Sequence, residues 1–136
     1  MLSPSSTTIR LFLHVFAASV WVGGQIVLGA LVPRLRAVSP EATKAAARGF
    51  ATVAWPAYAI VMLTGFWNLA EIDVANTSTT YQITVFVKIL LAVATGAAAA
   101  AHSAANSKAV MAIGGAVGLL AAIGAMFVGY LLTTGT

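Results

Sequence analysis

Long apolar stretches separated by short charged clusters organise this chain. Residues 11–32 run for 22 positions without a charged side chain, and residues 49–70 for another 22. Residues 89–107 give 19 such positions and residues 109–136 give 28. A helix needs roughly 20 apolar residues to cross a bilayer, so each stretch is a candidate span. The pattern predicts helices over about 9–32, 40–70, 81–103 and 109–132. That leaves a short tail, a loop of about 16 residues, one of about 10 and one tight turn. The expected fold class is all-α: a single membrane domain over residues 1–136, built as an antiparallel four-transmembrane-helix bundle.

Composition removes the main competitor. Of 136 residues, 60% are hydrophobic and 7% charged, where an ordinary soluble domain carries roughly 25% charged residues. So few charges cannot cover a soluble globule of this size, and the short connections leave no room for a soluble catalytic domain. Any function must be built inside the membrane or at its faces. The absence of cysteine excludes disulfides, thiolate metal sites and iron–sulfur clusters. There is no glycine-rich phosphate loop, no helical His-Glu-x-x-His and no nucleophile elbow, so hydrolases and nucleotide-binding enzymes have no support.

The formal charge of +4 is better read as topology than as nucleic-acid binding. Arg34, Arg36, Lys44 and Arg48 lie between the first two spans and Lys108 between the last two, whereas Arg10 alone flanks the other side. The positive-inside rule puts the first and third connections in the cytoplasm and both termini outside. The implied location is the inner (plasma) membrane. The same basic cluster could hold anionic lipid headgroups. The first nine residues carry no Lys or Arg and the apolar run is longer than a signal-peptide core, so residues 11–32 read as a retained helix. Ser39-Pro40-Glu41 reads as N-cap, N1 and N2 of the second helix. Trp55-Pro56 is expected to kink that helix, and Trp67 and Tyr81 to settle at the outer interface.

Polar groups inside the spans are the candidate chemistry, because intramembrane ionisable residues are costly. At about 1.5 Å rise per residue, His14 lies roughly two turns below the outer face. Lys88, Met126 and Thr64 fall at a similar depth, with Asn68 above Thr64. His14, Trp21 and Gln25 share one face of the first helix. Gln25 is expected to bond between helices. Lys88, Ala92, Gly96 and Ala100 form one i, i+4 row, and Gly114, Gly118, Ala122 and Met126 another, so Lys88 and Met126 are expected on packed faces. His102 follows Lys88 by fourteen residues, or about 21 Å, which prevents it from sharing a metal ion with His14. It reads as a solvated histidine at a helix end. A haem with both histidines as axial ligands is therefore excluded. One haem on His14 remains open, with Met126, Lys88, water or nothing as the second ligand.

The ordered segments resemble a known group. Leu13-His14-Val15 and Trp21-Val22-Gly23-Gly24 are followed by Val32-Pro33-Arg34-Leu35. Next come Arg48-Gly49, Gly65-Phe66-Trp67-Asn68-Leu69 and Val87-Lys88-Ile89-Leu90-Leu91. Over about residues 9–103 this resembles the small four-helix membrane family of copper resistance protein D (CopD) and the HemJ-type protoporphyrinogen oxidases. In HemJ-type proteins a helix-1 histidine binds haem b and a helix-3 lysine is needed for activity. The resemblance carries those roles onto His14 and Lys88. CopD-like proteins are linked to copper uptake or resistance. Arg36-Ala37-Val38 stands where the HemJ type has a Tyr-His pair, and Ala99 where it has a histidine. Trp-Val-Gly-Gly leans toward the CopD side.

Three expectations follow. The first is a haem-b-binding membrane protein with a redox role, exchanging electrons with a quinone or a porphyrinogen. His14 is then the metal ligand, Lys88 the catalytic or carboxylate-holding cation, Trp21 the packing of the pocket and Met126 a further cofactor contact. The second is a copper uptake or resistance protein using Met126 and His14. The third is a cofactor-free accessory subunit of a larger membrane complex. The small-residue rows also fit a homo-oligomer.

Overall fold

The computed structural model describes residues 2–135. Four long helices carry nearly all of them: α1 (Ser6–Val38), α2 (Pro40–Ala70), α3 (Thr79–Ala104) and α4 (Lys108–Thr134), with a 3-10 turn at Val74–Asn76. All four are long and apolar enough to cross a membrane. Large apolar side chains point outward along each of them, among them Leu63, Leu120 and Phe127 at 60–70% exposure. In water such continuous apolar faces would drive aggregation; in lipid they are the solvated surface. The chain divides into two compact units, Met1–Glu71 and Ile72–Thr136. Each is a helical hairpin.

The first hairpin turns on a single residue. Ser39 lies between α1 and α2 with φ −168° and ψ 154°, the extended backbone that a following proline favours. Its N–H donates to Leu35 O at 3.0 Å, which closes α1. Its Oγ accepts from Ala42 N–H at 3.0 Å, which opens α2. Pro40 then occupies the first helical position, as the sequence implied. The expected 16-residue loop is absent, because α1 continues through Pro33 to Val38. A proline removes one backbone donor and can sit inside a helix where the surrounding residues hold the conformation. Here the barrier that ends the helix is Ser39-Pro40. α2 is likewise one uninterrupted helix across Trp55-Pro56.

Serines open the other helices too. Ser5, Ser78 and Ser107 accept from the N–H groups of Thr8, Tyr81 and Val110. The Ser5–Thr8 pair completes a capping box. In the link before α3, the Gln82 amide Nε2 is 3.1–3.2 Å from the carbonyls of Val74, Ala75 and Thr77, which orders the segment against α3.

In the second hairpin, small residues let α3 and α4 approach. Gly114, Gly118, Ala121 and Ala122 are buried on α4, and Thr95 and Gly96 on α3. A Cβ at Gly114 would stand 3.1 Å from Ala98 O and 3.2 Å from His102 N, so backbone faces backbone there. Thr95 Oγ1 donates to Gly118 O at 2.7 Å across the same seam. The expected rows are partly displaced. Ala98, rather than Ala100, lies over the glycines, and Met126 is 40% exposed instead of packed. Successive i, i+4 positions drift around a straight helix by about 40° per step, so a four-member row leaves the contact face before it ends.

Candidate functional site

α1 faces α2 through Arg10, Ala17, Trp21 and Val22, all buried, with His14 half-buried among them. The spacing of four, three and four residues from Arg10 to Trp21 keeps these side chains on one stripe. From α2 the stripe meets Ala54, Ala57 and Thr64, also buried.

The central polar contact is His14 Nδ1 to Thr64 Oγ1, at 2.8 Å. Its direction follows from the neighbouring bonds. Thr64 Oγ1 lies 2.6 Å from Ile60 O, and a carbonyl oxygen can only accept. The single hydroxyl proton is therefore committed to Ile60, and Thr64 receives the Nδ1–H of His14. In the neutral imidazole this places the lone pair on Nε2. Gly65 lies beside the ring, where a Cβ would be 3.6 Å from His14 Cε1, an ordinary contact.

One turn toward the N-terminus of α1, two further groups complete the stripe. Arg10 is only 8% exposed, and its Nη1 donates to Trp67 O at 3.4 Å. This sets a cation against the C-terminal carbonyls of α2, where the helix dipole is negative. Trp67 Nε1 in turn donates to Glu71 Oε1 at 3.1 Å. Asn68, one turn beyond Thr64, has a buried Oδ1 with no hydrogen-bond partner among the described residues. One to two turns from His14 toward the hairpin tip the stripe is apolar. Trp21 (5% exposed) packs with its ring centroid 4.7 Å from Tyr58 and 5.6 Å from Trp55. It lies about 10 Å along the axis from His14, so it seals the layer beneath the histidine. Gln25 does not bond between helices as expected. Its Nε2 donates back to Trp21 O of its own helix at 3.1 Å.

The second hairpin holds Lys88 and His102. Lys88 is half-buried and lies along Gly129, where an added Cβ would be 3.1 Å from Nζ and 3.3 Å from Cε. The missing side chain of Gly129 makes room for the lysine. α3 contains no acidic residue, and neither does α4. His102 is exposed in the last turn of α3, as expected, and it also bonds across the hairpin. Its Nδ1 donates to Met111 O of α4, its ring lies over Gly115, and its Cβ and backbone N face Gly114. Two adjacent glycines give it a flat surface to cross.

Of the residues placed in one outer layer by depth, His14 and Thr64 are brought into contact, and Lys88 and Met126 belong to the second hairpin. Sequence reading missed the burial of Arg10, which it took as a flanking charge. The signal was available in the 10, 14, 17, 21 spacing. Among the described residues, no three of His, Cys, Asp and Glu come together as a metal cage. Comparison with protein-family models, curated proteins and solved structures finds no match.

Proposed function

We propose that the chain is a multi-pass protein of the inner (plasma) membrane, with both termini outside, that binds haem b through His14 and has a redox role. The observation that carries this reading is the His14–Thr64–Ile60 relay. A ligating histidine works best when its second nitrogen donates to a fixed acceptor, which sets ring angle and tautomer. Thr64 supplies that acceptor inside an apolar span, and Nε2 would be the coordinating atom.

The donor set favours haem over a bare copper ion. A copper site needs several protein donors. Haem brings four nitrogens of its own and needs as little as one histidine. The sequence resemblance to the CopD and HemJ group points to the same residue.

When bound, haem supplies a one-electron iron couple, suited to exchange with a quinone or a porphyrinogen. The chain's own residues have simpler tasks. His14 binds, and Thr64 orients it. Trp21, Trp55 and Tyr58 exclude water from the layer below. Lys88 is a separate assignment: an ammonium on an acid-free helix suits the carboxylate of a ligand or substrate.

The test is the visible absorption of detergent-purified protein, with iron and copper assayed on the same sample. A Soret band with stoichiometric iron supports the proposal. A colourless protein carrying copper would move the function to copper uptake or resistance. A colourless, metal-free protein, after haem and copper were supplied during expression, would leave a cofactor-free accessory subunit.

A further inference from the structure

The first hairpin carries a groove that the His14 layer does not use. It has a volume of about 350 Å³ and is walled by Phe16 and Val20 of α1 and by Thr52, Val53, Pro56 and Ile60 of α2. Phe16 and Val53 are more than half exposed, so the groove opens on the outer surface of the hairpin. Its one hydroxyl, on Thr52, is turned back onto Gly49 O at 2.7 Å, leaving an apolar trough.

The α2 wall runs into positive charge toward the hairpin tip. On α2, Arg48 lies one turn beyond Thr52 and about 40° round the helix, and Lys44 two turns beyond and about 80° round. The α1 wall is apolar, and Arg36, 20 residues beyond Phe16, has drifted to the other side of that helix. Residues four apart on a helix are surface neighbours, so Arg48 stands about 6 Å from the mouth of the groove. Arg36, Lys44 and Arg48 are all exposed, and the nearby acid is Glu41 alone. α1 and α2, at 33 and 31 residues, are each about ten residues longer than a bilayer span requires. The extra turns carry these cations into the headgroup region.

We infer that this groove is a binding site for one anionic phospholipid of the leaflet on the hairpin-tip side. The phosphate is held by Arg48, with Lys44 beside it, and an acyl chain lies between Phe16 and Val53 and along Pro56. Charge and shape select the occupant together. A zwitterionic lipid would bring an extra cation to a cationic mouth, and a protein helix would leave the two cations unmatched. The inference rests on the reading of these helices as membrane spans and is independent of the haem assignment.

The experiment is native mass spectrometry of the full chain released from nanodiscs of equimolar phosphatidylcholine and phosphatidylglycerol. The expected result is one retained lipid, with phosphatidylglycerol in clear excess. Arg48→Gln should cut that excess about fivefold, the weight of one cation near a charged headgroup. Val53→Trp fills the groove from an exposed position and should abolish retention of either lipid. Phe16→Ala removes the opposite wall and should weaken it in the same way. Equal retention of both lipids would overturn the inference. So would an excess untouched by Val53→Trp, which would mean a headgroup on the basic patch alone. A lipid-free dimer that Val53→Trp dissociates would give the groove to a second copy. A protein that partitions to water in detergent phase separation would remove the membrane reading itself. Embedded protein without a phosphatidylglycerol excess removes only the lipid site.

Discussion

His14 Nδ1 and Thr64 Oγ1 sit 2.8 Å apart, and the Thr64 proton is already spent on Ile60 O. The histidine must therefore donate. Thr64→Val keeps the shape and removes the acceptor. It should destabilise the fold by about 1–3 kcal/mol, the cost of a buried donor left without a partner. It should also weaken haem binding about 10–100-fold, as the loss of an outer-shell partner does at metal sites. Thr64→Ser keeps the hydroxyl and should restore both. Haem titration and thermal unfolding in detergent read the two effects separately.

Gly114 and Gly23 should respond in opposite ways. A Cβ at Gly114 meets the backbone of Ala98 and His102 at 3.1–3.2 Å, while a Cβ at Gly23 meets nothing within 4 Å. Gly114→Val should cost about 1–3 kcal/mol through overpacking against atoms that cannot move aside. Gly23→Ala should be neutral or stabilise by up to about 1 kcal/mol through helix propensity. Thermal midpoints of the two variants, compared in one detergent, check the contrast.

Ser39 closes one helix and opens the next. Ser39→Ala removes the side-chain acceptor for Ala42 N–H and should cost about 0.5–2 kcal/mol. Ser39→Asp restores an acceptor and should recover most of the loss. Hydrogen exchange at Ala42 and Thr43 is the local readout, since it should accelerate in Ser39→Ala alone.

Lys88 should separate stability from function. A lysine within an apolar span costs about 2.5–3.5 kcal/mol at the helix centre and less near its end. Lys88→Met keeps the length of the side chain along Gly129 and removes the charge. It should raise the thermal midpoint while reducing binding of carboxylate-bearing ligands such as protoporphyrin. A loss of both stability and binding would make Lys88 a structural residue.

The helices were legible because uncharged runs of 19 or more residues are a composition signal for long apolar helices. The start of α2 was legible too, since Ser39-Pro40-Glu41 is a local chemical signature of a helix N-terminus. The end of α1 was not. Pro33 looks like a terminator, but one missing donor does not stop a helix whose next residues favour it. The site was half legible. Depth put His14 and Thr64 at one level, and the structure joins them. Hydrogen-bond choices stayed hidden, because Gln25 can satisfy its amide on its own helix as well as on another. His102 was read correctly as an exposed helix-end residue, but its partner was not foreseen, for a similar reason. Its bond to Met111 O depends on how closely α4 passes, which the glycines at 114 and 115 permit but do not announce.

The most direct measurement is a dithionite-reduced minus oxidised difference spectrum of the wild type beside His14→Ala. Both proteins should first be shown to be helical by circular dichroism. The haem assignment predicts sharp reduced α and β bands in the wild type and their loss in His14→Ala. Identical bands in the two proteins would mean that His14 is not the ligand. No bands in the wild type, after haem was supplied during expression, would contradict haem binding altogether.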